Sequence, residues 1–514
     1  MKYTYMLVSS VCLYGVSSVQ GINAQEKGRP NIIYIMSDDH ASQAVSAYGG
    51  ILSEILPTPN IDRIAHEGAL LRNCFVTNSI STPSRGAILT GQYSQKNGVY
   101  TLLDPLDPDH PNVAKCLREA GYQTSIIGKW HLHAEPTGFD YYNVLPGQGR
   151  YLNPMLIEKG KWGDDPRVSC QTGEVYKGHS TDVIGSEAIR YMKNRDKNKP
   201  FFLMCHFKAP HRPWTPAERY HDLLKDVVIP EPANLLDTYE GKGQYAQLLE
   251  MSMENLNSSD LKTEIPENLS RDELRHWAYQ RYIKDYLRCV AGVDDNVGRI
   301  LKYLDDNKLS DNTIVIYTGD QGFFLGEHGW FDKRLMYEEC LRMPFVIRYP
   351  KEIKPGTINN DIVLNIDFAP LFLDYANANK PSQMQGESFR LNLLGKTPGN
   401  WRTAMYYRYW MNADIHHNVT ANYGIRTDRY KLVFYYGKSL GMTGTKNETV
   451  EPAEWEFYDL KNDPMEMHNI YKDPANKELI HGLKVKLLEL KKMYDDEDSK
   501  YPEMVEIAKN YFWD

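Results

Sequence analysis

The chain has 514 residues, a formal net charge of −8, 42% hydrophobic residues and 25% charged residues. That length exceeds one ordinary core and suits a large domain with a smaller companion, while the composition excludes collagen-like, coiled-coil and disordered classes. An acidic balance without a basic stripe argues against a nucleic-acid partner, so any anionic ligand must be met by a few local cations.

In chain order, residues 1–24 read as a secretory signal: Lys2 supplies positive charge, residues 5–19 are mostly apolar, and Ile22-Asn23-Ala24 precedes the expected cleavage, with the mature start near Gln25. Cys12 does not read as a lipid-attachment site, because Val11 stands where a small residue is needed. The expected destination is secretion, into the periplasm of a Gram-negative host. No later run reaches the roughly 18 uninterrupted apolar residues of a membrane span.

Apolar runs at 31–36, 123–127, 201–207, 313–318 and 344–348 read as buried strands. They alternate with helical patterns at 61–67, 113–120, 182–194, 277–306 and 368–376, which predicts an α/β fold: a mainly parallel sheet sandwiched by helices. Residues 216–275 are acid-rich and without period, and read as irregular surface. The pattern changes near 386–400; runs at 406–410, 423–436 and 454–460 then read as antiparallel strands, closed by a helix over 476–494. The predicted organisation is a signal over 1–24, a large α/β domain over 25–395 and a smaller antiparallel-sheet subdomain over 396–514. Cys74, Cys116, Cys170, Cys205, Cys289 and Cys340 are scattered without a metal-type pair. Buried thiols and one or two disulfides both remain open for them. Aromatic residues, with 36 Tyr and 9 Trp, suit both packing and the holding of sugars.

In open parallel sheets, ligands collect beyond the C-terminal ends of the strands. Asp38-Asp39 follow the first predicted strand, Lys129-Trp130-His131 another, His211 a third, and Asp320-Gln321 a fourth. Asp38, Asp39, Asp320 and Gln321 together offer hard oxygen ligands for calcium or magnesium rather than zinc. Either acidic pair alone reads equally well as a helix cap.

The segment Ser81-Thr82-Pro83-Ser84-Arg85-Gly86 resembles the S-x-P-S-R signature of type I sulfatases, whose first residue is oxidised to formylglycine. Ala87-Ile88-Leu89-Thr90-Gly91 resembles the usual continuation. The resemblance runs over nearly the whole mature chain, through Thr58-Pro59-Asn60-Ile61-Asp62, Gly128-Lys129-Trp130-His131-Leu132, Lys208-Ala209-Pro210-His211-Arg212-Pro213-Trp214, Gly319-Asp320-Gln321-Gly322, Asp332-Lys333-Arg334 and Phe457-Tyr458-Asp459-Leu460. It implies an alkaline-phosphatase-like fold and a Ser81 modified by a sulfatase-maturation enzyme. It also implies a Ca2+ ion held by Asp38, Asp39, Asp320, Gln321 and modified Ser81. Arg85, Lys129, His131, His211 and Lys333 would surround the nucleophile and the sulfate, with His211 as acid, His131 as base and Lys333 neutralising the sulfuryl oxygens.

Within that family, Lys208 to Trp214 together with Tyr407-Arg408-Tyr409-Trp410-Met411 and His416-His417-Asn418 resembles bacterial N-acetylglucosamine-6-O-sulfatases. The implied substrate is a sulfated oligosaccharide of glycosaminoglycan or mucin type. The Trp410 ring is expected against the sugar face and the His417 imidazole on a hydroxyl or the amide. Two other readings stand beside this one. A single-metal phosphate or phosphonate ester hydrolase of the same fold shares the ligand set, although two-metal phosphatases need an Asp-His pair where Gln321 follows Asp320. A catalytically silent sugar-binding protein on the same scaffold would lack one or more of the charged groups, and the full set is present.

Overall fold

The five apolar runs form the middle of a ten-stranded sheet. The computed structural model describes residues 28–163, 172–446 and 452–513, so the signal segment and Cys170 lie outside the described residues. The strands lie in the order Thr357–Asn359, Ala69–Leu71, Phe345–Arg348, Thr313–Gly319, Asn31–Ser37, Phe201–Phe207, Gln123–Lys129, Tyr141–Leu145, Met155–Glu158 and Glu174–Val175. Asn31–Ser37 is central and pairs in parallel with Phe201–Phe207 and with Thr313–Gly319. Antiparallel pairing enters on both sides of this parallel centre, through Phe345–Arg348 and Met155–Glu158.

Both faces of the central strand are covered, which is why it reads as a continuous apolar run rather than an alternating one. Ile32, Tyr34 and Met36 enter one core, and Ile33 and Ile35 the other. Helices Ser81–Thr90, Val113–Glu119 and Phe368–Tyr375 close the first core; Pro59–His66, Ser180–Asn194 and Arg271–Asp306 close the second. The last of these begins at Arg271, earlier than the periodicity indicates. Its start is fixed by a capping box in which Ser270 Oγ accepts from the Glu273 amide while Glu273 accepts from the Ser270 amide.

The second sheet is antiparallel, with strands Ala404–Tyr409, Asn422–Thr427, Tyr430–Tyr435 and Glu454–Asp459 in sequence order. The run at 423–436 is therefore a hairpin. Its turn has no glycine; Thr427 Oγ1 accepts from the amides of Arg429 and Tyr430 instead. Helix Lys477–Met493 packs on this sheet, and Leu432, Phe457, Leu483 and Leu487 share one core with Ile32 and Tyr34 of the large sheet. Cys74, Cys116, Cys205, Cys289 and Cys340 are free thiols. Among the described residues no helix is long and apolar enough to cross a membrane.

Candidate active site

Register brings the site together. Ser37 pairs with both Phe207 and Gly319, so Asp38-Asp39, Lys208 and Asp320-Gln321 leave three adjacent strands at one edge. The Asp38 amide donates to the Phe207 carbonyl, and the Asp39 amide to Asp320 Oδ1 at 3.0 Å. Lys129 ends the next strand, where Gly128 takes φ +96° and a Cβ would lie 2.0 Å from the His206 carbonyl oxygen. Only glycine allows that approach, and it delivers Lys129 to the edge.

Ser81 and Arg85 sit one turn apart on the fully buried helix Ser81–Thr90, entered from an extended Ile80 and closed by Gly91 at φ 66°. Ser81 Oγ donates to Asp38 Oδ1 at 3.0 Å. Arg85 donates through Nε and Nη2 to Asp320 Oδ2 at 3.2 and 3.0 Å, and through Nη1 to the Lys129 carbonyl at 2.9 Å. Lys129 Nζ pairs with Asp38 Oδ2, and Lys333 Nζ meets both oxygens of Asp39 at 2.6 and 2.7 Å. His211 Nε2 lies 3.7 Å from Asp39 Oδ2, and His131 Nδ1 lies 3.4 Å from Thr82 Oγ1. Asp39, His131, Asp332 and Arg334 all hold positive φ, at 63°, 55°, 75° and 95°. Non-glycine residues in that region are strained, and four of them cluster around one centre.

Three buried carboxylates in contact raise the question of what balances them. Burial, with Asp38 and Asp320 beside it, pushes Asp39 up to about 7 against the pull of Lys333. Burial and then Asp38 likewise raise Asp320. Asp38 is driven the other way: burial works against its charge, but Lys129, His211 and Arg85 hold it well below the usual carboxylate range. Asp38, Asp39 and His211 each bring a ligand atom within 4.8 Å of the others. The Gln321 amide donates to Asp39 Oδ1 and leaves its buried carbonyl oxygen Oε1 with no hydrogen bond. An orphaned oxygen beside crowded carboxylates fits a hard cation, which satisfies the one and neutralises the others. Burial, reinforced by Lys129, lowers both His131 and His211 well below the ordinary histidine value.

At the outer side lies a buried charge network in which the motif reading gives a role to His417 but none to Asp332, Arg334 or Asp414. His417 Nε2 lies 3.3 Å from Asp332 Oδ2, and its Nδ1 lies 2.8 Å from Asp414 Oδ1 and 2.8 Å from Arg334 Nη2. Arg334 is buried, yet its Nε and Nη1 have no hydrogen-bond partner. The Tyr407 hydroxyl donates to the Arg334 carbonyl and accepts from the Ser79 amide, tying this network to the start of the helix that carries Ser81. A sequence signal existed: Asp332, Lys333 and Arg334 stand between Trp330-Phe331 and Leu335-Met336, and charges embedded in apolar flanks are buried charges. Trp410 is the correction. Its ring is 1% exposed, with the Arg408 guanidinium 3.6 Å from its centroid and Tyr100 and Tyr501 edge-on at 4.9 and 5.5 Å. Buried this way, with a guanidinium on one face, the ring presents no open surface to a sugar and serves packing.

Comparison with known proteins agrees with this geometry. A family model described as sulfatase matches residues 30–378, and one described as N-sulphoglucosamine sulphohydrolase, C-terminal, matches residues 326–493. The chain is 42% identical to an N-acetylglucosamine-6-O-sulfatase of Bacteroides thetaiotaomicron, covering 97% of this chain and 93% of that protein. It is 27% identical to a human N-acetylglucosamine-6-sulfatase, covering 77% of this chain and 70% of that one. It also superposes with a TM-score of 0.83 and 42% identity on a protein solved in complex with its substrate D-glucosamine-2-N,6-O-disulfate, covering 91% of this chain and 99% of that one. The mainly parallel sheet with its small antiparallel companion is the alkaline-phosphatase-like fold expected from the sequence. The signature helix carrying Ser81 and Arg85, the acidic strand ends beside it and a likeness spanning almost the full length leave one assignment: the chain belongs to the sulfatase family, enzymes that hydrolyse sulfuric esters.

Proposed function

We propose that this sulfatase removes the 6-O-sulfate of N-acetylglucosamine at the non-reducing end of a glycosaminoglycan or mucin glycan. The observation that carries the sugar assignment is the likeness, over 97% of the chain, to the Bacteroides N-acetylglucosamine-6-O-sulfatase. The Arg334–His417 network supports it. Arg334 Nη1, which has no hydrogen-bond partner, is a donor for a ring hydroxyl, while Asp332 and Asp414 fix the guanidinium through Nη2 and Nε. A primary sulfate on C6 projects from its ring, so a narrow pocket takes the ester while the ring stays at this charged mouth.

Asp38, Asp39, Asp320, Gln321 and the oxygen of residue 81 would hold calcium, which supplies positive charge that favours an ionised attacking oxygen. Oxidation of Ser81 to formylglycine by a maturation enzyme supplies, as the hydrate, one hydroxyl for attack on sulfur and a second whose deprotonation releases sulfate. The chain's own residues do the rest. Arg85, fixed by Asp320, and Lys129, paired with Asp38, hold the residue-81 oxygen in a cationic environment. Lys333 faces the sulfuryl oxygens, whose charge grows in the transition state. His211, protonated once the anionic ester sits beside it, lends that proton to the departing C6 oxygen, and His131 takes one from the second hydroxyl.

The test is sulfate release by matured enzyme from N-acetylglucosamine-6-sulfate and its galactose epimer. The galactose compound should be slower by about tenfold or more, because one reversed hydroxyl leaves a buried donor unpaired. Equal rates, or preference for a 2-O-sulfated uronic acid, would refute the sugar assignment.

A further inference from the structure

Lys208 follows the strand Phe201–Phe207, whose final carbonyl accepts the Asp38 amide. The lysine thus leaves the sheet edge directly beside the acidic cluster. It is 3% exposed, and Asp38 and Asp39 act on its ammonium through space, with no ion pair to either among the described residues. Its close partner is the face of Tyr151, whose centroid lies 4.9 Å from Nζ. Tyr151 is itself anchored, since its hydroxyl donates to the His211 carbonyl at 2.5 Å, and the His211 amide donates to the Lys208 carbonyl at 3.1 Å. Side chain and backbone therefore lock Lys208, Tyr151 and His211 into one unit.

A buried ammonium without a counter-ion is costly, and a π face recovers only part of that cost. Lys129 and Lys333 are already matched by Asp38 and Asp39, and Arg85 by Asp320. Before any ester enters, the cations of the site are paired with acids, and Lys208 is the exception. We propose that Lys208 binds the sulfate group of substrate and product, supplying the positive charge that the metal-facing acids leave uncommitted. Burial, with Lys129 nearby, brings its ammonium down to about 8, which agrees with a cation poised for an arriving anion. An anion that occupies this place is attracted without disturbing the pairs that hold Ser81 and Arg85.

The inference rests on the sulfatase activity but not on the sugar assigned above. Its test uses matured full-length enzyme, an aryl sulfate as substrate and inorganic sulfate as competitive inhibitor. Lys208→Met should raise both KM and the inhibition constant of sulfate by about tenfold or more, the value of one charge-assisted hydrogen bond. Its melting temperature should stay level or rise, because the variant removes a buried unpaired charge. Lys208→Arg should recover most of the sulfate affinity. An inhibition constant that Lys208→Met moves by less than about twofold, whatever happens to the melting temperature, would overturn the inference. Failure of the sugar assignment is read separately, from wild-type turnover of N-acetylglucosamine-6-sulfate against the aryl ester.

Discussion

At the scale of the residue, charge pairing decides what each group can do. Ser81 contributes one hydrogen bond to Asp38, which keeps its other partners Lys129 and Arg85, so Ser81→Ala should cost about 1 kcal/mol of stability or less while sulfate release falls to background. Thermal unfolding beside a sulfate assay checks both halves. Asp39→Asn keeps the volume and removes one hard ligand. Calcium content should fall, and activity with it by about a hundredfold or more; full activity with no bound metal would refute the metal assignment. The raised Asp39 value also fixes a sign. A carboxyl whose folded pKa stands at about 7, above its unfolded value, stabilises the metal-free protein at low pH and loses that contribution as pH rises through 7. Calcium takes the ionised form, so its gain in melting temperature should be larger at pH 8 than at pH 5. A calcium shift that shrinks over that interval would contradict the assignment.

At the scale of the element, what was legible in the sequence follows from how much of each segment's fate is local. Strand 201–207 reads correctly to the residue because both its faces are buried and every position but His206 is apolar. The nucleophile helix is legible from chemistry rather than period: all ten of its residues are buried, so no polar face marks it. The hairpin inside 423–436 was hidden because its turn is made by a threonine hydroxyl rather than by glycine. Trp410 was misread for a related reason, since its cover comes from Arg408, Tyr100 and Tyr501, two of them distant in sequence. The loop bearing Asp332, Lys333 and Arg334 could be read as charged but not as a meeting point, because Asp414 and His417 arrive from the other sheet's connections. On the function proposed above this loop is bifunctional, with Lys333 toward the ester and Arg334 toward the ring. Arg334→Met should therefore lower kcat/KM on N-acetylglucosamine-6-sulfate by about tenfold or more while aryl sulfate turnover stays near wild type. Parallel losses on both substrates would assign Arg334 to structure alone.

At the scale of the whole molecule, the two sheets share one core, and the smaller one closes the active site. Tyr407 bridges Ser79 and Arg334, and His417 reaches Asp332, so the smaller sheet's connections pack directly against the loop that carries Lys333. We propose 395/396 as a boundary of architecture and not of folding. A chain ending at residue 395 would expose the core face that Leu432, Phe457 and Leu487 cover, and should be recovered as aggregate rather than as folded protein. A soluble, cooperatively melting fragment would contradict this. The same integration would let a protein with net charge −8 accept a sulfate ester, because on the proposed reading the anion meets Lys129, Lys208, Lys333 and Arg85 inside the fold, away from the acidic exterior. All of it depends on residue 81 as the nucleophile. The most direct measurement follows sulfate release across preparations whose aldehyde content at residue 81 is fixed by intact mass, from none to full. Turnover should rise in proportion to the aldehyde and vanish with unmodified serine, which has no second hydroxyl with which to expel sulfate; equal turnover by protein carrying only serine would contradict the account.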